Sequence, residues 1–437
     1  MNDLSKKLGF WPVFALVTGS QIGSAIFILP INLAPFGFYG LLGWIISGCG
    51  AIALALVFAE LCSRFPETGG PHTYVDHIFG KTAAFFTGWT YWMISWVSST
   101  IVVIACAGYL SPLIGNTSKG MDLALELFLV AVVTALNFLG VKTACRAEFY
   151  LTILKFIPLI LVPIAALFFF QADNFQITSA VKEMGSVSLI SKVTLLTLWG
   201  FVGLECATVA AGAVENPSKT IPKAIVIGTV SVAVLYCLNS LGIIGVLPQE
   251  TLVQSKAPYV DVATFMFGQG WNMPFCIIAS VVCLGTLNAW TLSSAQVALG
   301  LGQEGFFPTV LSRQNGRGAP IWALLISSVG ICVLLISSSS DSFAEQISAI
   351  IDTSVTCFLF VYGICSLGHL KLLLQGNGSR FGWIYGLGAV GFIGWILSQI
   401  SLENFLWAAL FPLAGVPVYI MQRKIFRKTS AESFHNQ

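Results

Sequence analysis

The feature that most constrains this chain is a succession of apolar runs, most of about 20 residues or more, separated by short segments that hold nearly all the charge. A helix advances about 1.5 Å per residue, so roughly 20 mostly apolar residues cross the ~30 Å hydrocarbon layer of a bilayer. The breaks between runs place spans at 10–35, 40–62, 83–114, 123–141, 147–170, 191–213, 223–247, 273–302, 319–338, 343–367, 381–400 and 402–422. These spans use most of the 437 residues and leave almost nothing for a soluble domain. Charged residues make up 9% of the chain, against about 25% in ordinary soluble proteins. The predicted fold is therefore an all-α integral membrane protein of about twelve transmembrane helices. Lys6 and Lys7 ahead of the first run superficially resemble a signal peptide, but the run continues to about Pro35 and is read as a retained first helix.

Charge placement predicts orientation. Sixteen of the 21 Lys and Arg fall in loops on the side of the two termini, four fall on the other side, and Lys155 lies within a span. An excess of basic residues marks cytoplasmic loops, so both termini are expected in the cytoplasm of a multi-pass plasma-membrane protein, the inner membrane in a bacterium. The eleven Cys form no C-x-x-C pair and mostly lie inside apolar runs, where they read as reduced small hydrophobes. His72 and His77 are five apart, poor spacing for one helical face, so no metal site is expected. No phosphate-binding G-x-x-x-x-G-K-[ST] motif appears, and no cofactor or nucleic-acid partner is predicted. A membrane-embedded enzyme would need an intramembrane nucleophile, acid–base or metal-ligand cluster, and the sequence shows none.

Two spans carry residues that should interrupt them. The first contains Gly19-Ser20-Gln21-Ile22-Gly23-Ser24-Ala25, and the sixth contains Trp199-Gly200-Phe201-Val202-Gly203-Leu204-Glu205. They stand five helices apart, the relation expected of corresponding helices in an inverted five-plus-five repeat over 10–170 and 191–367, with 381–422 as two additional helices. Glycine-interrupted segments at matching places in two halves point to a binding site near the bilayer midplane, where unwound backbone exchanges hydrogen bonds with a solute. The plainer alternative is a small-residue packing face built from Gly19 and Gly23.

Further motifs follow in order: Ile26-Phe27 with Pro30, Pro66-Glu67-Thr68-Gly69-Gly70-Pro71, Glu215-Asn216-Pro217 with Ile221-Pro222, Gly285 through Thr291, and Glu304-Gly305-Phe306-Phe307-Pro308. Together with the two interrupted spans, this order resembles the amino acid–polyamine–organocation superfamily, most closely its basic amino acid/polyamine antiporter branch. The resemblance implies a LeuT-like fold whose first and sixth helices unwind around the substrate. It also implies a secondary transporter working by alternating access, an exchanger of cationic amino acids or their amines.

By the same resemblance, Ser20, Gln21, Gly23, Ser24 and Ala25 would border the substrate, with backbone N–H groups of Gly23 to Ala25 facing a carboxylate. Ala25 stands where the family pattern has glycine. Trp199, Gly203 and Trp290 match pocket positions, and an aromatic face attracts a cationic ligand by roughly 0.5–2 kcal/mol. Ser95 and Ser99 lie on the third span, Ser99 in place of a family amide. Tyr91 matches a gate residue. Trp199 has packing or interfacial anchoring as its alternative.

Ionisable groups within spans are costly enough to be read as functional candidates. Glu205 matches a family acid of proton-sensitive gating, or else satisfies loose backbone N–H groups at the break. Lys155 resembles the lysine that replaces sodium in proton-coupled permeases of the superfamily; it either couples transport to protons or holds the first, fifth and eighth helices together. Asp352 in the tenth span either favours a substrate with a second positive charge or pairs locally. Glu60, near Arg64, reads as a surface charge. Expected partners are thus an amino acid or polyamine, protons, and the lipid bilayer, with a homodimer left open. A proton-coupled permease running net uptake is the second functional reading.

Overall fold

The structure, a computed structural model, describes residues 7–115, 118–255, 258–337, 343–376 and 378–422, with the side chains of residues 28, 112, 180 and 343–352 outside the description. The first run forms α1 (Phe10–Gln21) and α2 (Ala25–Leu33). Next come α3 (Phe38–Arg64), the short α4 (Pro71–Phe79), α5 (Lys81–Ile114), α6 (Lys119–Phe138) and α7 (Val141–Ala166). A connection holding the single turn α8 (Ser179–Lys182) leads to α9 (Ser186–Leu198), which runs on into tight 3-10 segments at Trp199–Phe201 and Cys206–Ala213. After α10 (Pro217–Val246), a second connection contains α11 (Gln249–Gln254) and α12 (Pro258–Phe267). Then follow α13 (Asn272–Gln303), α14 (Ile321–Ser337), α15 (Phe343–Leu374), α16 (Arg380–Leu397) and α17 (Leu402–Ala414), the last continuing helically to Gln422.

Ten helical stretches are long and apolar enough to cross a membrane, α14 is a shorter apolar helix, and α1 with α2 occupies the first run. Each predicted run is therefore helical, and the described residues contain isolated β-bridges but no strand. Ser118, Ser379 and Ser401 cap α6, α16 and α17 through their side chains, which accept from Met121, Gly382 and Asn404 N–H groups. Pro71 and Pro217 begin α4 and α10, where a missing N–H leaves no helical hydrogen bond unmade.

Packing shows which faces meet lipid. On α7, Tyr150, Ile153, Leu154, Ile157, Leu161 and Ile164 are exposed and recur at three- and four-residue spacing. The opposite face buries Glu148, Thr152, Lys155, Leu159 and Val162. In water that pattern would be inverted; facing hydrocarbon outward and polar groups inward is what a bilayer solvent selects. α13 is the axis of the bundle: every residue from Gly285 to Gly302 is buried, and the helix packs against α5, α7, α14 and α1.

Glu60 departs from its sequence reading. Its carboxylate accepts from Arg64 and from Tyr385 on α16, and lies 3.7 Å from the buried His369 imidazole of α15. A residue at the end of α3 thus ties three helices together, because the loop after α15 brings α16 back alongside it.

Candidate functional site

α1 stops at Gln21 because Ile22 turns to extended backbone (φ −78°, ψ 94°), and helix resumes at Ala25. A break inside a span strands carbonyls that a continuous helix would pair. Here each finds a donor from another helix. The Gly19 carbonyl accepts from Lys155 Nζ at 2.9 Å and Thr286 Oγ1 at 3.0 Å. That of Ile22 accepts from Thr286 Oγ1 at 2.6 Å and Lys155 Nζ at 3.3 Å. Trp290 Nε1 donates to Ser20 O at 3.2 Å, and the Tyr236 hydroxyl donates to Gln21 O at 2.7 Å.

Lys155 is fully buried and also contacts Glu148 Oε1 at 3.3 Å. The second Glu148 oxygen accepts from Asn288 Nδ2 at 2.8 Å, and Asn137 Nδ2 donates to Asn288 Oδ1 at 3.0 Å. A buried ammonium is tolerated only when paired and hydrogen-bonded, and this one sits between a carboxylate of its own helix and two carbonyls of the broken span. Gly19 and Gly23 are therefore small for a reason other than backbone freedom. A Cβ on Gly19 would stand 2.0 Å from Glu148 Oε1, and one on Gly23 would stand 2.8 Å from Thr286 Cγ2.

The second interruption lies between the 3-10 segments. Val202 is extended (φ −64°, ψ 131°), and Gly203 has φ +105°, a conformation that side chains disfavour. Ser20 Oγ donates to Gly203 O at 2.9 Å, joining the two breaks directly. Glu205 is fully buried, with its oxygens taken by the hydroxyls of Tyr91 (2.7 Å) and Tyr362. The Tyr362 hydroxyl in turn accepts from Gly203 N–H at 3.1 Å. Tyr91 and Glu205 thus meet across 114 residues, with α15 supplying the third member.

Between the breaks lies a cavity of about 20 Å³, room for roughly one water. Of the residues singled out from sequence, Ser20, Gln21, Gly23, Ser24, Ala25, Trp199 and Trp290 line it. Gly203 adjoins it through Trp290, whose ring would stand 3.0 Å from a Cβ there. Ser95 and Ser99 are buried but turn back on their own helix, donating to Tyr91 O at 2.5 Å and Ser95 O at 2.8 Å. Tyr91, Glu205 and Lys155 stand behind the wall, and the side chain of Asp352 lies outside the described residues.

Sequence reading missed Glu148, Ser98, Thr286 and Tyr362 as contributors. Glu148 and Lys155 are seven apart, two helical turns on one face, so that pair was readable; Ser98 and Tyr362 carried no local signal. On one side the segment before α1 is bonded to the end of the sixth span through an isolated β-bridge, Leu8 N–H to Ala213 O and Glu215 N–H to Leu8 O, both at 2.9 Å. On the other, Phe27 packs against Tyr259 and Tyr109 at ring separations of 4.8 and 5.4 Å.

Relatives align over most of this chain and most of their own length. The cadaverine/lysine antiporter of Escherichia coli (strain K12) is 30% identical over 352 residues, covering 78% of this chain and 79% of its own. The putrescine transporter PotE of Haemophilus influenzae is 28% identical over 377 residues, 86% of each chain. A Bacillus subtilis (strain 168) protein described provisionally as an arginine/ornithine antiporter is 29% identical over 407 residues, 86% of each. The profile of the amino acid permease family matches residues 8–423, a stretch that takes in both broken spans, the cavity between them and the buried Lys155; this chain belongs to that family.

Proposed function

We propose that this protein is a secondary transporter that exchanges cationic amino acids or their amines by alternating access, with the cavity between the two broken spans as its substrate site. The observation that carries this reading is the direct bond from Ser20 on the first broken span to Gly203 on the sixth, beside a cavity bordered by Trp199 and Trp290. N–H groups at the start of α2 have no partner inside that helix, so they and its dipole favour the substrate carboxylate. The two indoles offer a cation their π faces. A cavity the size of one water is too small for an amino acid, so binding accompanies movement of a wall. Trp199 is the half-buried member of that wall and acts as the lid.

The reading includes an inverted repeat of 10–170 and 191–367, both termini in the cytoplasm, and Tyr91, Glu205 and Tyr362 as a gate behind the site. The substrate class is supported by the three relatives, each of which is named for a basic amino acid, a diamine or both.

A second reading, a proton-coupled permease, is favoured by one observation: Lys155 and Glu148 form a buried pair at the break itself. Purified protein in liposomes separates the two. Labelled arginine, ornithine or lysine should enter only when vesicles contain unlabelled substrate; uptake into empty vesicles driven by a pH gradient, and abolished by Lys155→Ala, selects the permease instead. Absence of transport under either condition would sink both.

A further inference from the structure

The hydrogen-bond partners at the first break leave a question of where a substrate ammonium can go. In a broken transmembrane helix the stranded carbonyls are the obvious acceptors for it. In this chain the carbonyls of Gly19, Ser20, Gln21 and Ile22 already accept from Lys155, Thr286, Trp290 and Tyr236. On the sixth span Gly203 O accepts from Ser20 Oγ and from Cys206 N–H, and Trp199 O accepts from Val202 N–H. Among the described residues, none that lines the cavity carries a charge.

Two side-chain atoms of that lining remain buried and unpartnered: Gln21 Oε1 and Ser98 Oγ. Both residues are only 3% exposed. The Gln21 amide is oriented, because its Nε2 donates to Val17 O at 3.0 Å and only the nitrogen can do so, leaving Oε1 as a free acceptor. It stands at the C-terminal end of α1, the negative end of a helix dipole, while Ser24 opposite begins α2. Ser98 faces the same space from α5, whereas its neighbours Ser95 and Ser99 spend their hydroxyls on α5 itself. Buried acceptors left without donors are unfavourable and call for an explanation, and at a cavity wall a ligand donor is one that supplies it.

We propose that Gln21 Oε1 and Ser98 Oγ are the receptors of the substrate's α-ammonium group, beside backbone carbonyls that already accept from the side chains holding the break together. The proposal rests on the cavity being the substrate site. It makes the pair specificity-determining: a substrate with an ammonium beside its carboxylate lies across the break, anion to α2 and cation to Gln21 and Ser98. An analogue lacking that ammonium leaves two buried acceptors unmet, a mismatch that hydrogen-bonding sites reject strongly.

The test uses paired probes that differ only in the α-amine, lysine against 6-aminohexanoate and ornithine against 5-aminopentanoate, competing for labelled exchange by the full-length protein in liposomes. Gln21→Leu and Ser98→Ala should each cut the preference for the amino acid over its deamino analogue by about tenfold or more, the loss of one hydrogen bond to a charged group. Gln21→Glu and Ser98→Thr, which keep an acceptor oxygen, should restore it. An unchanged preference in both deletion variants, with Trp199→Leu impaired, overturns the ammonium assignment and keeps the cavity. Normal exchange by Trp199→Leu overturns the cavity as the site, and binding of neither probe by the unsubstituted protein overturns both. Equal weakening of each probe pair in all four variants, with no rescue, also overturns the assignment, because it marks a general packing defect.

Discussion

The Glu148 carboxylate lies so close to the Gly19 backbone that a single added methyl would stand 2.0 Å from Oε1. That contact explains why the first span carries glycine there, and it puts the buried ion pair and the broken helix into one packed unit. The consequence is a steep size limit. Gly19→Ala should destabilise the detergent-solubilised protein by at least about 1–3 kcal/mol, the usual penalty for overpacking a core. Gly108→Ala, where a Cβ meets nothing within 4 Å, is the control and should leave the melting temperature unchanged. Equal melting of the two variants would show that Glu148 is not held against Gly19.

Lys155 and Glu148 are mutually dependent. Removing either partner leaves a charge buried in the span, at a cost of about 3–5 kcal/mol. Lys155→Met and Glu148→Gln should each lower thermal stability sharply, while the double variant should lose much less than the sum, since neither uncompensated charge remains. Strict additivity in a double-mutant cycle would mean that the 3.3 Å contact carries no coupling.

Tyr362 should matter more to the sixth break than Tyr91. Its hydroxyl donates to Glu205 and accepts from Gly203 N–H, whereas that of Tyr91 donates to Glu205 with only a distant Cys206 thiol beside it. Tyr362→Phe leaves two buried polar groups short of a partner and Tyr91→Phe chiefly one, each worth roughly 1–3 kcal/mol. Exchange rate and melting temperature measured on both variants should rank Tyr362→Phe as the more damaging; the reverse order would refute the shared role of its hydroxyl.

Gly203 is fixed by its backbone and by its neighbours. Its φ of +105° disfavours any side chain, and a Cβ would stand 3.0 Å from the Trp290 ring and 3.1 Å from Ser20. Gly203→Ala is expected to slow exchange severely; Gly200→Ala, which crowds Trp44 and Tyr236 at 2.9 Å at a position without positive φ, adds packing strain without the backbone strain. If Gly203→Ala exchanges at the unsubstituted rate, the turn at the sixth break is not part of the working site.

Much of this was legible in one dimension. The runs that became α3, α5, α10 and α13 could be read from hydropathy, because the requirement to cover a span with apolar residues acts on each segment separately. The interruptions at Gly19–Ala25 and Trp199–Glu205 were visible for the same reason: glycines and polar side chains stand out inside apolar runs. Even Lys155 announced itself by its charge. Glu148 escaped notice because it stands near the start of its run, where an acid resembles an ordinary loop residue.

What the sequence by itself determined is thus the set of spans, the two places where helix fails, and the membership of the family. Only the tertiary structure decided who completes each failure. Thr286 reaches Gly19 across 267 residues, Tyr362 reaches Glu205 across 157, and Ser98 rather than Ser99 turns into the cavity. Hydropathy and helical period are sums over neighbours along the chain, whereas a stranded carbonyl in hydrocarbon is satisfied by whichever donor the packed bundle brings within about 3 Å. That choice depends on how helices are rotated against one another, and no local pattern encodes it.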